Sequence, residues 1–322
     1  MYPADVSQDR PLDVFMAHMD VVFSDETELP LRVEDGRIYC PGVGDDTACL
    51  VCLLLAGKYI ARHVDSPSWR EIRGEDAPGL LLVCNAGEEG LGNLKGVRKI
   101  CEDYGGRIKS FCTFDSSLSS IVDRAVGSKR FRVKVRTRGG HSYNDFGNDN
   151  AIAGLASLVG KLYKIQVPEG GKTTYNVGMI SGGTSVNTIA QEAEMLYEFR
   201  SDKRENLEYM ERQFMEVLDR AKAEGTDVSF QVIGVRPCEG QVDPAQKQAL
   251  TDWAHRVVEE MTGQAPKHHA GSTDCNIPLS LGIPSVCVGS FRGAGAHTRE
   301  EYVETDSLEE GYKVAFGMIF GR

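Results

Sequence analysis

Short apolar runs of strand length alternate with longer apolar segments of helical period through the first part of the chain. The segment 13–22 is typical of a strand, and 47–63 is long and periodic enough for a helix. The segments 79–90 and 108–117 each combine a buried strand with a polar loop that follows it. Strands that alternate with helices predict an α/β fold, with a mostly parallel sheet and flanking helices.

The pattern changes near Asp123, where strict alternation replaces the longer apolar runs. In the segment 129–138, Phe131, Val133 and Val135 share one face and basic residues share the other, which predicts a half-solvated strand. A helix, two strands, a second helix and a last strand follow in the pattern. This order is that of the ferredoxin-like split unit, an α+β arrangement.

The two patterns divide the chain into two predicted domains. The ferredoxin-like segment forms an inserted domain at 125–235. The α/β character returns after it, with a helical segment at 246–263 and a strand at 282–290. We therefore expect a discontinuous first domain formed by 1–124 and 236–322.

Composition narrows the class of protein. A chain of 322 residues has room for two lobes, and a net charge of −11 with a pI near 5.2 argues against a nucleic-acid or anionic-membrane partner. The nine cysteines are odd in number and lack the close spacing of a disulfide framework, so we expect reduced core thiols, Cys84 among them. No segment approaches membrane-spanning length, and the expected location is the cytoplasm.

Acidic and histidine side chains follow the strand-like runs of the first domain. They are His18 and Asp20 after the first run, Glu88 and Glu89 after the second, Asp115 after the third and His297 after the last. In open parallel sheets ligands bind beyond the carboxyl ends of the strands, so these groups are expected to converge, together with Asp45 from the loop before the first helix. The five candidate ligands are His18, Asp45, Glu89, Asp115 and His297.

Two imidazoles and three carboxylates form a donor set typical of transition-metal sites. They suit two zinc ions, or manganese or cobalt, better than calcium, which prefers all-oxygen sites. Two ions about 3.5 to 4 Å apart require one bridging carboxylate. Glu88 is then left unligated, and as a general base it would take the proton from the attacking water. Asp20, on the same strand face as His18, is placed to hydrogen-bond the imidazole and fix its tautomer.

Several short motifs occur in the order HMD, GDD, GEEG, FDSS, GGHS, GGTSVNTIAQEAEMLYEFRSD and GAGAH. Together they resemble the di-zinc exopeptidase and deacylase family that includes peptidase T, bacterial glutamate carboxypeptidase and the acetylornithine and succinyl-diaminopimelate deacylases. The resemblance spans nearly the whole chain and implies the zinc-exopeptidase-like fold. The resemblance implies that Asp45 bridges the two ions. His18 and Asp115 would complete the ligands of one ion, and Glu89 and His297 those of the other. It also implies that Glu88 is the base and that Asp20 is the partner of His18.

By the same resemblance the inserted domain is a lid and dimerisation domain, and the protein is a homodimer. His141 would then reach the active site of the partner subunit and stabilise the developing oxyanion. Asn187 and Arg200 match positions that contact substrate, and a guanidinium is well shaped for a terminal carboxylate. Two plainer interpretations stay open, with Asn187 as a turn residue and Arg200 as a surface ion-pair partner.

Three features bear on which kind of family member this chain is. Family peptidases tend to have Asp at the position of Asp115, where several deacylases have Glu, and this favours a peptidase. Thr47 and Ala48 follow the GDD motif, where many members have Lys-Gly or similar, so local substrate contacts are expected to differ. Only seventeen residues precede His18, fewer than members usually have, so we expect a preceding helix and strand to be missing from this chain.

Other functions fit the sequence less well. The segment GVGDDT with Asp65 downstream resembles a dinucleotide fingerprint, but the third glycine is replaced, Pro41 interrupts the strand, and two carboxylates would repel a pyrophosphate. Ser116, Ser117 and Ser142 lie outside any Gly-x-Ser-x-Gly elbow. A catalytically silent binding protein would have lost a ligand or the base, and none is missing.

The expected function is hydrolysis of an amide bond in a small peptide, by a metal-dependent exopeptidase of the peptidase T kind. The alternative within the family is deacylation of an N-acyl amino acid. The expected partners are this small substrate and a second copy of the chain, with neither nucleic acid nor membrane among them.

Overall fold

The computed structural model describes residues 9–23, 28–64, 66, 74 and 77–321, and Asp65 lies outside them. The chain divides into two compact units. Unit 1 comprises Met1–Ala125 and Glu239–Arg322, and unit 2 comprises Val126–Cys238. Unit 2 extends past residue 235, where the sequence pattern ends the insert, because its last strand continues to Arg236.

The secondary structure of the described residues is numbered in chain order through both units. The strands are β1 (Leu12–His18), β2 (Arg32–Glu34), β3 (Arg37–Tyr39), β4 (Gly79–Asn85), β5 (Ile108–Phe114), β6 (Ser120–Ala125), β7 (Gly127–Arg136), β8 (Gly140–His141), β9 (Thr173–Gly182), β10 (Thr188–Ile189), β11 (Glu192–Ser201), β12 (Asp227–Arg236), β13 (Lys267–Gly271), β14 (Ser285–Val288), β15 (Gly293–Ala294) and β16 (Tyr302–Glu304). The α-helices are α1 (Cys49–His63), α2 (Lys95–Tyr104), α3 (Ala151–Leu162), α4 (Arg204–Ala223), α5 (Pro244–Thr262), α6 (Asn276–Ser280) and α7 (Ser307–Phe320). None of the described helices combines the length and apolarity needed to cross a membrane.

A six-stranded, mostly parallel sheet forms the centre of unit 1. Its strand order is β13-β6-β14-β5-β1-β4, and β14, β5, β1 and β4 run in one direction. β13 and β6 are parallel to each other, while β6 is antiparallel to β14. The prediction of a mostly parallel α/β fold is therefore confirmed. The carboxyl ends of four strands meet at one edge of this sheet, where open α/β sheets bind their ligands.

Both faces of this sheet are buried, which explains why β1 is apolar at successive positions. Phe15 and Ala17 point into a core shared with α1, α5 and α7. Val14 and Met16 point the other way, into a core shared with α2 and α6. A strand that is covered on both sides carries apolar residues on both faces, so the run ends where the core ends, at His18.

A small antiparallel sheet joins two loops of unit 1. Its strand order is β15-β16-β3-β2, and Tyr302 of β16 pairs with Tyr39 of β3. β3 leads into the loop that carries Asp45, and β16 begins shortly after His297. The pairing of β3 with β16 therefore brings together two candidate ligands that are distant in the sequence.

Unit 2 is a four-stranded antiparallel sheet with two helices packed on one face. Its strand order is β12-β7-β11-β9, and its elements follow the chain order β7, α3, β9, β11, α4, β12. Phe131, Val133 and Val135 are buried in the core with α3 and α4, while the basic residues between them are less buried. The Phe131 ring lies 4.2 Å from the Phe214 ring, centroid to centroid. The alternation seen in the sequence thus separates the helix-covered face from the open one.

Two details differ from the expectations drawn from the sequence. β1 ends at His18 because its neighbour β4 ends at Asn85, directly opposite, so Asp20 lies in the following loop and not on the strand face of His18. All nine cysteines are free thiols, but Cys84 is exposed and not in the core. It lies on β4, which is the edge strand of the sheet and is covered less completely.

Gly96 of α2 packs so closely against the end of β4 that no side chain fits. A Cβ at this residue would overlap Asn85 Oδ1 and lie 2.6 Å from the carbonyl oxygen of Ala86. We expect Gly96→Ala to lower the free energy of unfolding by about 1–3 kcal/mol, although alanine has the higher helix propensity. Gly106→Ala is the matched control, since no described atom lies within 4 Å of a Cβ there. Chemical denaturation measures both variants, and equal stabilities would contradict the prediction.

Candidate metal centre

His18 ends β1 at the carboxyl edge of the sheet, with its side chain 1 % exposed. Its Nε2 atom lies 3.0 Å from Asp45 Oδ1 and 4.0 Å from Asp115 Oδ1. Within the described part of the chain this nitrogen makes no hydrogen bond. Buried polar atoms normally have a partner, so an unsatisfied imidazole nitrogen between two carboxylates indicates a ligand site.

Asp45 lies between the two histidines. Its Oδ1 faces His18, and its Oδ2 lies 3.0 Å from His297 Nε2. The same nitrogen of His297 lies 3.3 Å from Glu89 Oε1, and donor atoms of Asp45, Glu89 and His297 all lie within 4.8 Å of one another. Each oxygen of one carboxylate therefore faces a different imidazole, which is the arrangement that a ligand bridging two ions needs.

Asp46 belongs to the same cluster, although the sequence analysis assigned it no role in metal binding. One of its oxygens lies within 4.8 Å of donor atoms of His18 and Asp115. Its Oδ2 accepts the backbone N–H of His18 at 2.9 Å, and the residue is buried. This bond fixes the end of β1 against the loop of Asp45. The two adjacent acids of the GDD motif indicate that a carboxylate lies here, but the motif does not tell which of the two faces an ion and which binds the backbone.

Asp20 holds the loop that carries the two glutamates. Its carboxylate accepts the backbone N–H groups of Gly87 at 2.9 Å, Glu88 at 3.3 Å and Glu89 at 2.9 Å. The carbonyl oxygen of Asp20 lies 2.9 Å from His18 Nδ1, whereas its nearest carboxylate oxygen is 3.7 Å away. The main chain of Asp20 therefore makes the contact to His18, because the side chain binds the loop. A carbonyl only accepts, so Nδ1 carries a proton and Nε2 faces the cluster.

The cluster concentrates negative charge in a buried pocket. Burial raises the pKa of Glu89 to about 7, and the charges of Asp45 and Glu88 add to the increase. Burial also raises the pKa of Asp115 well above its ordinary value. Burial alone would lower the pKa of His18, but the carboxylates around it, Asp45 foremost, raise it to about 11. The His18 imidazole therefore holds its proton tightly, and the carboxyl groups of Glu89 and Asp115 resist ionisation. Both effects show that the pocket favours positive charge, which divalent cations supply.

The donor set fits a pair of transition-metal ions. Imidazole nitrogens and carboxylate oxygens are ligands that zinc, manganese and cobalt share. Glu89 Oε1, like His18 Nε2, is a buried donor atom without a hydrogen bond among the described residues. Burial would raise the pKa of Asp45, but the imidazoles of His18 and His297 outweigh it and hold that pKa below its ordinary value. Asp45 is therefore ionised at neutral pH, as a bridging ligand must be.

Glu88 lies next to Glu89 in the sequence and is 5 % exposed. One of its donor atoms lies within 4.8 Å of donor atoms of His18 and Glu89. Its backbone is held by Asp20, so its side chain is positioned from a fixed loop. A buried carboxylate at this distance can exchange a proton with a molecule bound in the pocket.

His141 and Asn187 lie side by side in unit 2. The carbonyl oxygen of Asn187 accepts the N–H of Ser142, the residue after His141, at 3.0 Å. The Nδ1 atom of His141 accepts the backbone N–H groups of Tyr143 at 3.2 Å and Asn144 at 3.4 Å. Because Nδ1 accepts, the neutral ring carries its proton on Nε2 and can donate a hydrogen bond from there.

Arg200 lies on β11 of unit 2 and is paired with Glu198. Its Nε donates to Glu198 Oε1 at 2.8 Å, and its Nη2 donates to Oε2 at 3.2 Å. Arg130 donates to the same carboxylate at 3.2 Å. Arg200 therefore makes the ion pair of its plainer interpretation, and its contact with substrate stays a prediction.

Comparison with known proteins covers nearly the whole chain. The sequence description of peptidase family M20/M25/M40 matches residues 14–320. The acetylornithine deacetylase of Myxococcus xanthus is 24 % identical over 290 residues, which cover 87 % of this chain and 71 % of that protein. The succinyl-diaminopimelate desuccinylase of Nitrosomonas eutropha is 24 % identical over 323 residues, which cover 94 % of this chain and 80 % of that protein.

Solved structures show the same fold. The crystal structure of the aminopeptidase PepT of Bacillus cereus superposes with a TM-score of 0.69 at 22 % identity, over 98 % of this chain and 81 % of that chain. The family inferred from the order of the sequence motifs is therefore confirmed, and with it the expectation of an amide hydrolase. The chain belongs to peptidase family M20/M25/M40, whose members are metal-dependent hydrolases of amide bonds in peptides or N-acyl amino acids.

Proposed function

We propose that this protein uses two divalent ions, zinc first among the candidates, to hydrolyse an amide bond in small peptides as an exopeptidase of the peptidase T kind. The observation that supports this most strongly is the carboxylate of Asp45, with one oxygen 3.0 Å from His18 Nε2 and the other 3.0 Å from His297 Nε2. Manganese and cobalt accept the same donor set and are the alternatives to zinc.

The proposed ligands are those that the family resemblance implies, and the distances of His18 to Asp45 and Asp115 and of His297 to Asp45 and Glu89 support them. His18, Asp45 and Asp115 would hold one ion, and Asp45, Glu89 and His297 would hold the other. When bound, such ions lower the pKa of water and polarise a substrate carbonyl. The chain's own task is to hold these side chains at these distances, with His18 1 % exposed and His297 58 % exposed.

Glu88 is the proposed general base and acid. It takes a proton from the water that attacks the scissile carbonyl carbon, and it returns the proton to the amine nitrogen as the C–N bond breaks. With 5 % of the residue exposed, Glu88 is shielded from bulk water during both transfers. Asp20 supports this role because its carboxylate holds the backbone on both sides of Glu88.

Unit 2 is the proposed lid and dimerisation domain of a homodimer. His141 would act at the site of the partner subunit, where its Nε2–H would donate to the developing oxyanion. The support for a second copy lies at β9, the edge strand of the unit 2 sheet, where Met179 is 65 % and Ile180 57 % exposed. Val186, after β9, is fully exposed as well. Apolar side chains along a sheet edge are typical of surfaces that pair with another chain.

The same unit offers space for part of a substrate. A cavity of about 640 Å³ is lined by Gly140 and Thr188, the neighbours in sequence of His141 and Asn187. Asn187 is proposed to contact substrate because it matches such a position by family resemblance, and the cavity lies next to it in the chain. Arg200 would bind a substrate carboxylate only by exchanging its ion pair with Glu198 for that contact.

The proposed substrate class is a di- or tripeptide. The aspartate at position 115 favours a peptidase by family resemblance, whereas the curated deacylase relatives favour the alternative, an N-acyl amino acid. A catalytically silent binding protein is disfavoured, because the described residues include every predicted ligand and the base. The nine free thiols suit the reducing cytoplasm, where we place the activity.

Glu88→Gln tests the base. The substitution keeps the size of the side chain and removes its proton affinity, so we expect kcat to fall by about 10²–10⁴-fold while the metal content stays unchanged. Glu102→Gln is the matched control, since that side chain is 74 % exposed and lies on α2. Steady-state kinetics and elemental analysis measure the two effects. Unchanged turnover would remove Glu88 from the mechanism, and loss of metal would make it a ligand.

Mixing two inactive variants tests the exchange between subunits. His141→Ala and Glu88→Ala each inactivate their own homodimers, but a mixed dimer contains one site with both groups intact. Random pairing is expected to restore about a quarter of the wild-type activity. Activity is measured after the two proteins are unfolded together and refolded, with each variant alone as the control. If the mixture is as inactive as its components, His141 does not act across the dimer.

A substrate screen tests the class of amide. Metal-stripped protein with zinc, manganese or cobalt added back is expected to cleave di- and tripeptides with at least about tenfold higher kcat/KM than N-acetyl or N-succinyl amino acids. The opposite preference would favour the deacylase alternative. If the protein binds its full complement of metal but cleaves none of these compounds, the result would favour a catalytically silent binding protein.

A further inference from the structure

Glu301 is a buried carboxylate that the proposed mechanism does not use. It lies immediately before β16, four residues after His297, and is 2 % exposed. Its Oε2 accepts the backbone N–H of Gly42 at 2.6 Å, and its Oε1 accepts those of Gly44 at 2.9 Å and Asp45 at 2.8 Å. These three bonds, here named the Glu301 clasp, give both oxygens of the carboxylate main-chain donors.

The clasp acts on the backbone that carries the proposed bridging ligand. Asp45 is held at its own N–H, so the starting point of its side chain is fixed relative to Glu301. The carbonyl oxygen of Glu301 also accepts the N–H of Cys40 at 3.1 Å, and β16 pairs with β3 on the same side. Side-chain and main-chain hydrogen bonds therefore connect the loop of Asp45 to the loop of His297.

Gly44 allows the clasp to close. A Cβ at this residue would lie 2.7 Å from Phe291 Cε2 and 3.0 Å from Glu301 Oε1. A larger residue would push the loop away from the carboxylate, and the N–H of Asp45 would move with it. The glycine is thus needed for a close approach, and its place in the GDD motif is explained by the clasp and not by contact with a ligand.

We infer that Glu301 is a positioning residue of the metal centre, which sets the distance between Asp45 and His297 by clasping the main chain of the Asp45 loop. The inference rests on the two-ion function proposed above. Asp45 Oδ2 and His297 Nε2, which would share one ion, lie 3.0 Å apart. A shift of the Asp45 loop changes this distance and also the distance from Asp45 to His18, so both ions depend on the clasp.

The test is a cobalt titration of the metal-free protein, followed by the visible absorption of the bound ion. Glu301→Gln keeps the size of the side chain but replaces one acceptor oxygen with an NH₂ group. This group cannot accept a hydrogen bond, so at least one backbone N–H of the clasp loses its partner. We expect its affinity for cobalt to fall by about 10–100-fold, with an altered absorption band. Glu300→Gln is the matched control, since it removes the same charge one residue away from a side chain that is 83 % exposed, and it is expected to bind cobalt like the wild type.

Thermal unfolding of the metal-free proteins separates positioning from a structural role. Metal-free Glu301→Gln is expected to fold cooperatively, with its weakened affinity appearing only when cobalt is added. The inference is overturned if Glu301→Gln binds cobalt as the wild type does, if Glu300→Gln loses as much affinity, or if metal-free Glu301→Gln is unfolded, since the last result would make Glu301 a structural residue. A wild-type chain that fails to bind two ions would instead refute the proposed function, and the two failures are thereby distinguished.

Discussion

Burial of several carboxylates around one imidazole is the constraint on which the rest of unit 1 depends. Asp45, Asp46, Glu89 and Asp115 all come near His18 or His297 at the carboxyl edge of the sheet. Such a group of acids is unfavourable unless positive charge or N–H donors compensate it, as the raised pKa values of Glu89 and Asp115 indicate. Of these four acids, Asp46 accepts the backbone N–H of His18. We propose that cations supply the compensation that remains.

Two further carboxylates, Asp20 and Glu301, hold the loops that carry the clustered acids. Asp20 accepts three N–H groups from the loop that carries Glu88 and Glu89. Glu301 accepts three N–H groups from the loop that carries Asp45. Each carboxylate accepts three main-chain hydrogen bonds and so fixes the backbone of its loop. Rigid loops are what a centre with short ligand distances needs, since small displacements of a ligand weaken metal binding.

The two units carry different parts of the proposed machinery. Unit 1 contains the whole donor cluster, so the proposed ion binding and the proposed proton transfer both belong to one compact unit. Unit 2 has its own core, built on Phe131, Tyr197 and Phe214, and carries a histidine whose Nδ1 is held by backbone N–H groups. Because family members with different substrates share this fold, substrate choice rests on groups that line the substrate, and the donor cluster alone does not decide it.

The sequence by itself determined the elements and the position of the centre. The apolar run of β1, the alternation around Phe131 and the acids that follow the strands predicted a parallel sheet with His18 and Asp115 at one edge, because periodicity is local and parallel strands share their carboxyl ends. Only the tertiary structure decided that Asp20 contacts His18 through its main chain, that Asp46 binds the end of β1, and that Glu301 holds the Asp45 loop. Glu301 and Gly42 are 259 residues apart in the chain, and a hydrogen bond over such a separation leaves no periodic pattern in the sequence, since it depends on how the loops meet in the folded structure.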